Sequence, residues 1–205
     1  IVVSVPSTTP TSITGPASHC SGIGAKTLTA VGGILSPGGN YQWGSGAVSD
    51  ANVLSTTTNA TFNVSPTTTT TYWVRTKDAA PCNTVSAAVT FTLNVAVQST
   101  QPSSISNATT LCSNGGITLE AIGGTVGTGS YYEWGTGNTG GNNIIAGENS
   151  ATILVNPTAQ TVYWVRLVDP APCSRSTGIR TITVSVPSTT PTSITGSATH
   201  CTGSG

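Results

Sequence analysis

Ten residues of this chain occur twice without a change, and this internal repeat constrains the fold more than any other feature. Residues 6–15 read PSTTPTSITG, and residues 187–196 have the same letters. Four positions after each copy stands a His-Cys pair, at residues 19–20 and 200–201. Self-similarity at a fixed period is the signature of a repeat protein, so the sequence is interpreted as part of a tandem array.

A more divergent copy, QSTQPSSISN at residues 98–107, leads to Cys112 midway along the chain. Two repeats of about 90 residues each lie within the usual size of a single domain. The first and third copies are nearly identical, which indicates duplication of a two-repeat unit. The sequence predicts four segments: the last strand of a preceding repeat (1–5, which matches 181–186), repeat one (6–97), repeat two (98–186) and the start of a third repeat (187–205).

Composition predicts an all-β protein and excludes several partners. Charged residues make up 6% of the chain and the net charge is zero, whereas about a quarter of a typical domain is charged. Nucleic-acid binding needs clustered Lys and Arg, and no such cluster is present. No apolar run is long enough to be inserted in a membrane. The chain is rich in Val, Ile and Thr and has no Met, which favours strands over helices.

Alternating apolar and polar residues predict short strands, for example at residues 26–31, 60–64 and 89–95. Both repeats share a Tyr-x-Trp strand and a Tyr-Trp-Val-Arg strand. In each repeat the two Trp residues, Trp43 and Trp73 or Trp134 and Trp164, have the same spacing. About seven such strands per repeat suggest a two-sheet sandwich of immunoglobulin type, and a barrel-like β module is the alternative.

Two aromatic positions support the immunoglobulin-type interpretation. Trp43 and Trp134 occupy the strand that buries a central Trp in such folds. Tyr72 and Tyr163 begin the sixth strand, which is the place of a tyrosine corner. Neither central strand has a Cys, so the disulfide that usually joins the two sheets is missing.

Five short motifs together resemble a known family: Cys-Ser-Gly (20–22), Thr-Leu-Thr-Ala (27–30), Tyr-Gln-Trp (41–43), Ser-Pro-Thr-Thr-Thr-Thr-Thr-Tyr (65–72) and a late Cys. The combination is similar to Ig-like and PKD-like repeats of giant Bacteroidetes surface proteins. The best-known members of that group are gliding-motility adhesins exported by type IX secretion. The resemblance covers essentially the whole chain. It implies a long cell-surface polypeptide that is adhesin-like or forms filaments, and it supplies no catalytic or ligand-binding residues.

Five cysteines at recurring places indicate disulfides, and therefore an oxidising, extracellular setting. The simplest pairing lies within each repeat, Cys20–Cys82 and Cys112–Cys173, and leaves Cys201 for a partner outside the chain. The competing pairing joins neighbouring repeats through Cys20–Cys173. In strict immunoglobulin topology the two cysteines of one repeat lie at opposite ends of the domain, too far apart to bond. We expect the pairing within each repeat, with the other arrangement kept open.

Metal sites are weakly supported. His19 and Cys20 are adjacent, so on a strand they point to opposite faces, and repeat two has Leu111 in place of the His. Asp78 and Asp169 recur in one loop, but calcium needs several carboxylates. A turn-forming Asp beside Pro is the preferred interpretation. No nucleophile and base, no paired carboxylates and no cofactor motif are recognisable.

Two Trp-Arg pairs are the candidate surface-binding residues. If Tyr72 and its counterpart face inward, alternation places Trp73 and Arg75, and likewise Trp164 and Arg166, on the outer face. Such a pair can be a stacked structural unit, a contact between repeats, or a platform for a sugar ring. The structural interpretations are preferred.

The sequence thus predicts tandem immunoglobulin-like sandwiches arranged as an extended extracellular rod without enzymatic activity. Each repeat should add roughly 35–45 Å, and the Pro- and Thr-rich joints favour semi-rigid linkage. The expected partners are neighbouring repeats, with cell-surface or glycan ligands and laterally associated filaments as further possibilities. The alternative function is carbohydrate binding through the Trp of each repeat.

Overall fold

The computed structural model of the protein describes residues 5–106, 115–186, 193, 195 and 196. Apart from one 3-10 turn at Asp50–Asn52, all its regular secondary structure in these ranges is β. The first repeat contains β1 (Pro10–Thr14), β2 (Ser18–Cys20), β3 (Lys26–Gly32), β4 (Asn40–Ser45), β5 (Val53–Thr57), β6 (Thr61–Val64), β7 (Thr70–Lys77) and β8 (Val89–Ala96). The second contains β9 (Ser104–Ser106), β10 (Ile117–Ile122), β11 (Tyr131–Thr136), β12 (Thr152–Val155), β13 (Thr161–Asp169), β14 (Arg175–Ser176) and β15 (Arg180–Val184).

Each repeat folds into two sheets. In the first, one sheet has the order β1-β3-β6 and the other β2-β8-β7-β4-β5. All these pairs are antiparallel except β2 and β8, which run parallel. In the second, β9-β10-β12 form one sheet, while β11, β14 and β15 all pair with β13 in the other. This arrangement is an immunoglobulin-type sandwich, and the predicted all-β sandwich fold is confirmed.

The two sandwiches have separate cores. Leu28, Trp43 and Leu93 are fully buried in the first core, and Leu119 and Trp134 are fully buried in the second. Alternation along β10, whose residues are buried and exposed in turn, shows how the pattern directs one face inward. Burying one such side chain contributes about 1.5–3 kcal/mol. Neither cluster includes a residue of the other repeat.

The two corner tyrosines are buried near the start of their strands. Tyr72 on β7 and Tyr163 on β13 each belong to a core cluster. Burial raises the pKa of both hydroxyls, and a hydrogen bond with Thr70 or Thr161 opposes that rise. Both residues therefore hold the position expected from the sequence, and each remains neutral as a packed side chain.

Two strands of the first repeat escape the sequence pattern. β2 has three residues and pairs in parallel with β8, which is too short for any alternation to be recognised. β5 is rich in Ser and Thr and is half buried or exposed at every position, because it forms the edge of its sheet. Edge strands carry a weak apolar signal for this reason.

Candidate functional site: the joint between the two sandwiches

A disulfide between Cys20 and Cys173 joins the two repeats. The parallel pairing of β2 with β8 places Cys20 opposite Ala96, the last residue of β8. Cys20 therefore lies at the end of the first sandwich from which the chain leaves. Cys173 belongs to the loop between β13 and β14, and the Cα atoms of Cys20 and Cys173 are 5.0 Å apart. Both half-cystines are buried and form a small apolar cluster with Ala96.

The preferred pairing within each repeat is wrong. Cys82 is a free, exposed thiol, and Cys173 is bonded to the neighbouring repeat instead of to Cys112. The reason is geometric: the loop that holds Cys82 lies at the opposite end of the first sandwich from Cys20. The competing pairing, Cys20–Cys173, is correct. Cys112 and Cys201 lie outside the described residues.

Hydrogen bonds hold the connecting segment on both sides of the joint. Gln98 donates from Nε2 to the Ser21 carbonyl of the first repeat, at 3.1 Å. The Gln98 Oε1 atom accepts from Arg175 of the second repeat. Val97 and Thr128 exchange two bonds, each of 2.9 Å, one through the Thr128 hydroxyl and one through its backbone N–H. The linker is thus fixed to both bodies instead of hanging free between them.

Asp169 organises the second repeat's side of the joint. Its buried carboxylate accepts hydrogen bonds from the Ser99 backbone N–H at 3.1 Å and from the Ser130 hydroxyl at 2.7 Å. Arg175 Nε lies 3.7 Å from Oδ2. Burial disfavours the charged form of Asp169, but the bonds from Ser99 and Ser130 and the charge of Arg175 outweigh it, so the pKa lies below the ordinary value.

Asp78 has the same role in the first repeat. Its carboxylate accepts from the Ser7 backbone N–H at 2.8 Å, from the Ser36 hydroxyl at 2.9 Å and from the Thr84 hydroxyl. Hydrogen bonds from Ser7, then from Thr84 and Ser36, lower the pKa of this carboxyl well below its usual range. Both recurring Asp residues therefore anchor a loop, which is the turn-forming role preferred from the sequence. Across the described ranges, no three His, Cys, Asp or Glu side chains gather where they could hold a metal ion.

The candidate sugar platform is wrong, because its aromatic rings are covered. Trp73 and Trp164 are fully buried and belong to neither core cluster, so they lie on the outer face as alternation requires. The Arg75 guanidinium lies over the Trp73 ring, 5.3 Å from its centre. The corresponding distance from Arg166 to Trp164 is 5.5 Å. Both pairs are stacked structural units, since no exposed ring remains for a ligand.

Each guanidinium is fixed from the side by a polar residue on the neighbouring strand. Arg75 donates from Nε to Gln42 Oε1 at 2.9 Å and pairs with Asp50. Arg166 donates from Nε to Glu133 Oε2 at 2.6 Å. Gln42 faces Arg75 in the register of β4 and β7, as Glu133 faces Arg166 in β11 and β13. The two repeats have therefore kept one arrangement with a different acceptor.

A glycine beneath each ring makes this arrangement possible. A Cβ placed on Gly44 would lie 2.1 Å from Trp73 Cζ2, and one on Gly135 would lie 2.2 Å from Trp164 Cζ2. The Trp-Gly pairs at residues 43–44 and 134–135 are visible in the sequence. Because each Gly lies opposite an outer Trp on the neighbouring strand, these pairs are the sequence signal for rings that lie flat on their sheets.

His19 is a buried strand residue beside the half-cystine. It is 1% exposed, and its Nδ1 has no hydrogen-bond partner among the described residues. With Ile23, Ser65 and Thr67, it lines an open cavity of about 230 Å³.

Within the part of the chain that the structure covers, no helix could cross a membrane.

Comparison with known proteins agrees with the fold. Residues 100–187 match the model of the family described as Ig-like domain CHU_C associated. The crystal structure of Rst D1-D2 is similar with a TM-score of 0.53, 11% identity, and coverage of 89% of this chain and 99% of that one. No curated protein matches.

Two further solved structures are more distant. The I-band fragment I67-I69 from titin has 14% identity and a TM-score of 0.49, covering 88% of this chain and 65% of that one. Sidekick-1 immunoglobulin domains 1-5 have 14% identity and a TM-score of 0.44, covering 88% and 38%. The family match concerns the second repeat, and the Rst likeness concerns the fold alone; both agree with the two-sheet sandwich of each repeat.

Proposed function

We propose that this chain is a spacer segment of a longer extracellular polypeptide, in which Ig-like repeats hold another part of the protein away from the cell. The joint carries this proposal: two separate cores are connected by a covalent bond and a hydrogen-bonded linker. A joint of this kind transmits orientation from one repeat to the next. A fixed orientation between repeats keeps the chain extended, which is what a stalk or fibre needs.

An extracellular location is supported by the disulfide, since such bonds persist in oxidising compartments. Low charge and abundant Thr fit a surface exposed outside the cell. The resemblance to repeats of gliding-motility adhesins favours a bacterial surface adhesin or filament as the parent protein. In that parent, adhesion would be located outside these two repeats.

Solution scattering tests the proposal. An extended pair of sandwiches should reach about 70–90 Å, with a radius of gyration well above the value of about 17 Å for a compact chain of this length. The double variant Cys20→Ser and Cys173→Ser should broaden the distance distribution, because only hydrogen bonds then fix the joint. Cys82→Ser, which removes a thiol remote from the joint, is the matched control and should leave the profile unchanged. A radius near the compact value would overturn the proposal.

A further inference from the structure

We propose that the end of the first sandwich that carries Cys82 is a docking surface for a preceding Ig-like repeat. Cys82 forms a disulfide there with the cysteine that occupies the position of Cys20 in that repeat. The inference rests on the proposed function, since it requires an array that continues beyond these two repeats. It makes the observed joint one of a series of covalent joints along the protein.

The loop around Cys82 has the same construction as the loop around Cys173. In one, the Asn83 N–H donates to the Ala79 carbonyl at 3.2 Å; in the other, the Ser174 N–H donates to Pro170 at 2.9 Å. The residue after each cysteine is left-handed, with φ of 50° at Asn83 and 46° at Ser174. Pairing of Lys77 with Val85, and of β13 with β14, closes the two loops at the same place.

Each loop also holds its own incoming chain segment in the same way. Asp78 accepts from the Ser7 N–H as Asp169 accepts from the Ser99 N–H. The Ser7 and Ser99 hydroxyls in turn each accept a hydrogen bond from a backbone N–H further along the repeat. The segment that arrives at the first sandwich therefore follows the course that residues 97–99 take at the joint. A preceding repeat is brought to Cys82 as the first repeat is brought to Cys173.

The surface around Cys82 suits an apolar, uncharged partner. A pocket of about 40 Å³ lies beside it. Five apolar residues line it (Pro6, Pro37, Ala79, Ala80 and Pro81), together with Ser36 and Asp78, whose side chains are hydrogen-bonded to each other. At the observed joint, the corresponding place is filled by the cluster of Cys20, Ala96 and Cys173. The end of a strand like β8, with a small residue beside a half-cystine, therefore fits here.

The Cys82 end of the first repeat and the Cys173 end of the second differ in the polar contacts that they can make. Pro6 and Pro37 stand where the second repeat has Gln98 and Thr128. The bonds that those two residues make at the observed joint cannot be formed by proline. The disulfide and apolar contact consequently carry more of the docking at this end.

The sequence also indicates what precedes this end. Residues 181–186 lead directly into residues 187–196, which are identical to residues 6–15. The natural neighbour of a repeat-one end is therefore a copy of repeat two, in which Cys112 corresponds to Cys20 in sequence. Bond formation removes one proton and one electron from each of the two thiols, and a small-molecule disulfide that accepts them is reduced to two thiols.

The test joins two copies of the protein at this natural junction, residues 1–186 followed by residues 6–205. Changing Cys82→Ser in the first copy, and Cys112→Ser and Cys201→Ser in the second, leaves six cysteines and one possible new pair. The purified tandem is oxidised with glutathione disulfide and alkylated. It is then mapped without reduction, using chymotrypsin, which cuts after aromatic residues such as Trp134 of the first copy and Trp73 of the second, both between Cys112 of the first copy and Cys82 of the second. The matched control also carries Cys82→Ser in the second copy.

We expect a peptide that links Cys82 to Cys112 beside two Cys20–Cys173 peptides, and one alkylated thiol at Cys112 in the control. Cys82 alkylated in the tandem, with both Cys20–Cys173 bonds intact, would overturn the inference. Scattering from the same samples separates this from the proposed function. If Cys82 is disulfide-bonded but the molecule is compact, the docking inference holds and the proposed spacer function fails. If Cys82 is alkylated but the molecule is extended, the spacer function holds and the docking inference fails.

Discussion

At the scale of single residues, the Trp-Arg pairs show how an outer face of a sheet can be fully covered. Trp73 lies flat because Gly44 on the adjacent strand offers no side chain, and Arg75 lies over the ring. The ring is therefore buried outside the space between the sheets. Its role is to seal the sheet surface, and it leaves no aromatic platform for a ligand.

Gly44→Ala should destabilise the first sandwich by about 1–3 kcal/mol, because overpacking forces the ring or the strand to move. The Cβ would come within 2.1 Å of Trp73 Cζ2. Chemical denaturation followed by Trp fluorescence measures the loss. Gly196→Ala, where a Cβ meets nothing within 4 Å, should leave stability unchanged. Equal stability of the two variants would show that the ring does not depend on this glycine.

All four Trp side chains are fully buried, so their fluorescence should be quenched only weakly by acrylamide in the native protein. Unfolding in denaturant should raise the quenching constant several-fold as the rings meet solvent. Tyr41→Phe, which keeps the aromatic core and all four indoles, is the control for an unrelated change. Strong quenching of the native protein would contradict the covered position of Trp73 and Trp164.

At the scale of the elements, the loop that follows β7 in the first repeat and β13 in the second connects each repeat to the chain segment before it. It carries the cysteine, and a carboxylate at its base fixes the segment that arrives from the preceding repeat. Because the ionised Asp accepts these hydrogen bonds more strongly than the protonated form would, its charge helps to hold the loop and the linker together. Acid should therefore weaken both.

The pKa of Asp78 in the folded protein is below the ordinary value of 3.8, and that of Asp169 is lowered as well. Stabilisation of this kind is fully present above the unfolded pKa and is lost as pH falls towards the folded one. We expect the free energy of unfolding to decline progressively below about pH 4. Asp78→Asn should be less stable at neutral pH and show a smaller decline in acid. Glu120→Gln, at an exposed position on β10, should keep the decline of the parent.

The loops also predict a difference between two cysteines in similar surroundings. In the unreduced protein, iodoacetamide should modify the exposed Cys82 thiol, whereas Cys173 and Cys20 are protected by their bond. Mass spectrometry of the alkylated peptides distinguishes them. Reduction in denaturant should make all three reactive, and modification of Cys173 before reduction would contradict the joint.

How much the sequence could predict is also decided at the level of elements. β3, β6 and β8 lie within one residue of their predicted bounds, since alternation and turn residues are local signals. β2 was missed because three residues carry no period, and it is β2 that places Cys20 at the joint. The exposure of Trp73 was also misjudged, because alternation assigns a face but not what covers it. Disulfide pairing depends on contacts between repeats, which no local pattern contains.

At the scale of the whole molecule, the two sandwiches have independent interiors and a small shared contact. Each core draws on its own strands, while the joint is built from one apolar cluster, a bond and a few hydrogen bonds. We therefore expect the two cores to unfold separately.

Leu28→Ala and Leu119→Ala form a matched pair, because each removes a fully buried Leu at the corresponding strand of its repeat. Each should cost about 2–5 kcal/mol in its own sandwich. Hydrogen exchange measured by mass spectrometry should rise in the altered repeat and stay unchanged in the other. A rise spread equally over both repeats would show a single cooperative unit.

The disulfide at the joint also decides what happens when the protein is pulled from its two ends. Its half-cystines are 153 positions apart in the chain, a stretch that would span about 500 Å if drawn straight. A force applied to the termini is transmitted through the disulfide, so the residues between Cys20 and Cys173 are not stretched. Both sandwiches can lose their structure under tension, and the molecule still cannot lengthen by that amount until the bond is reduced.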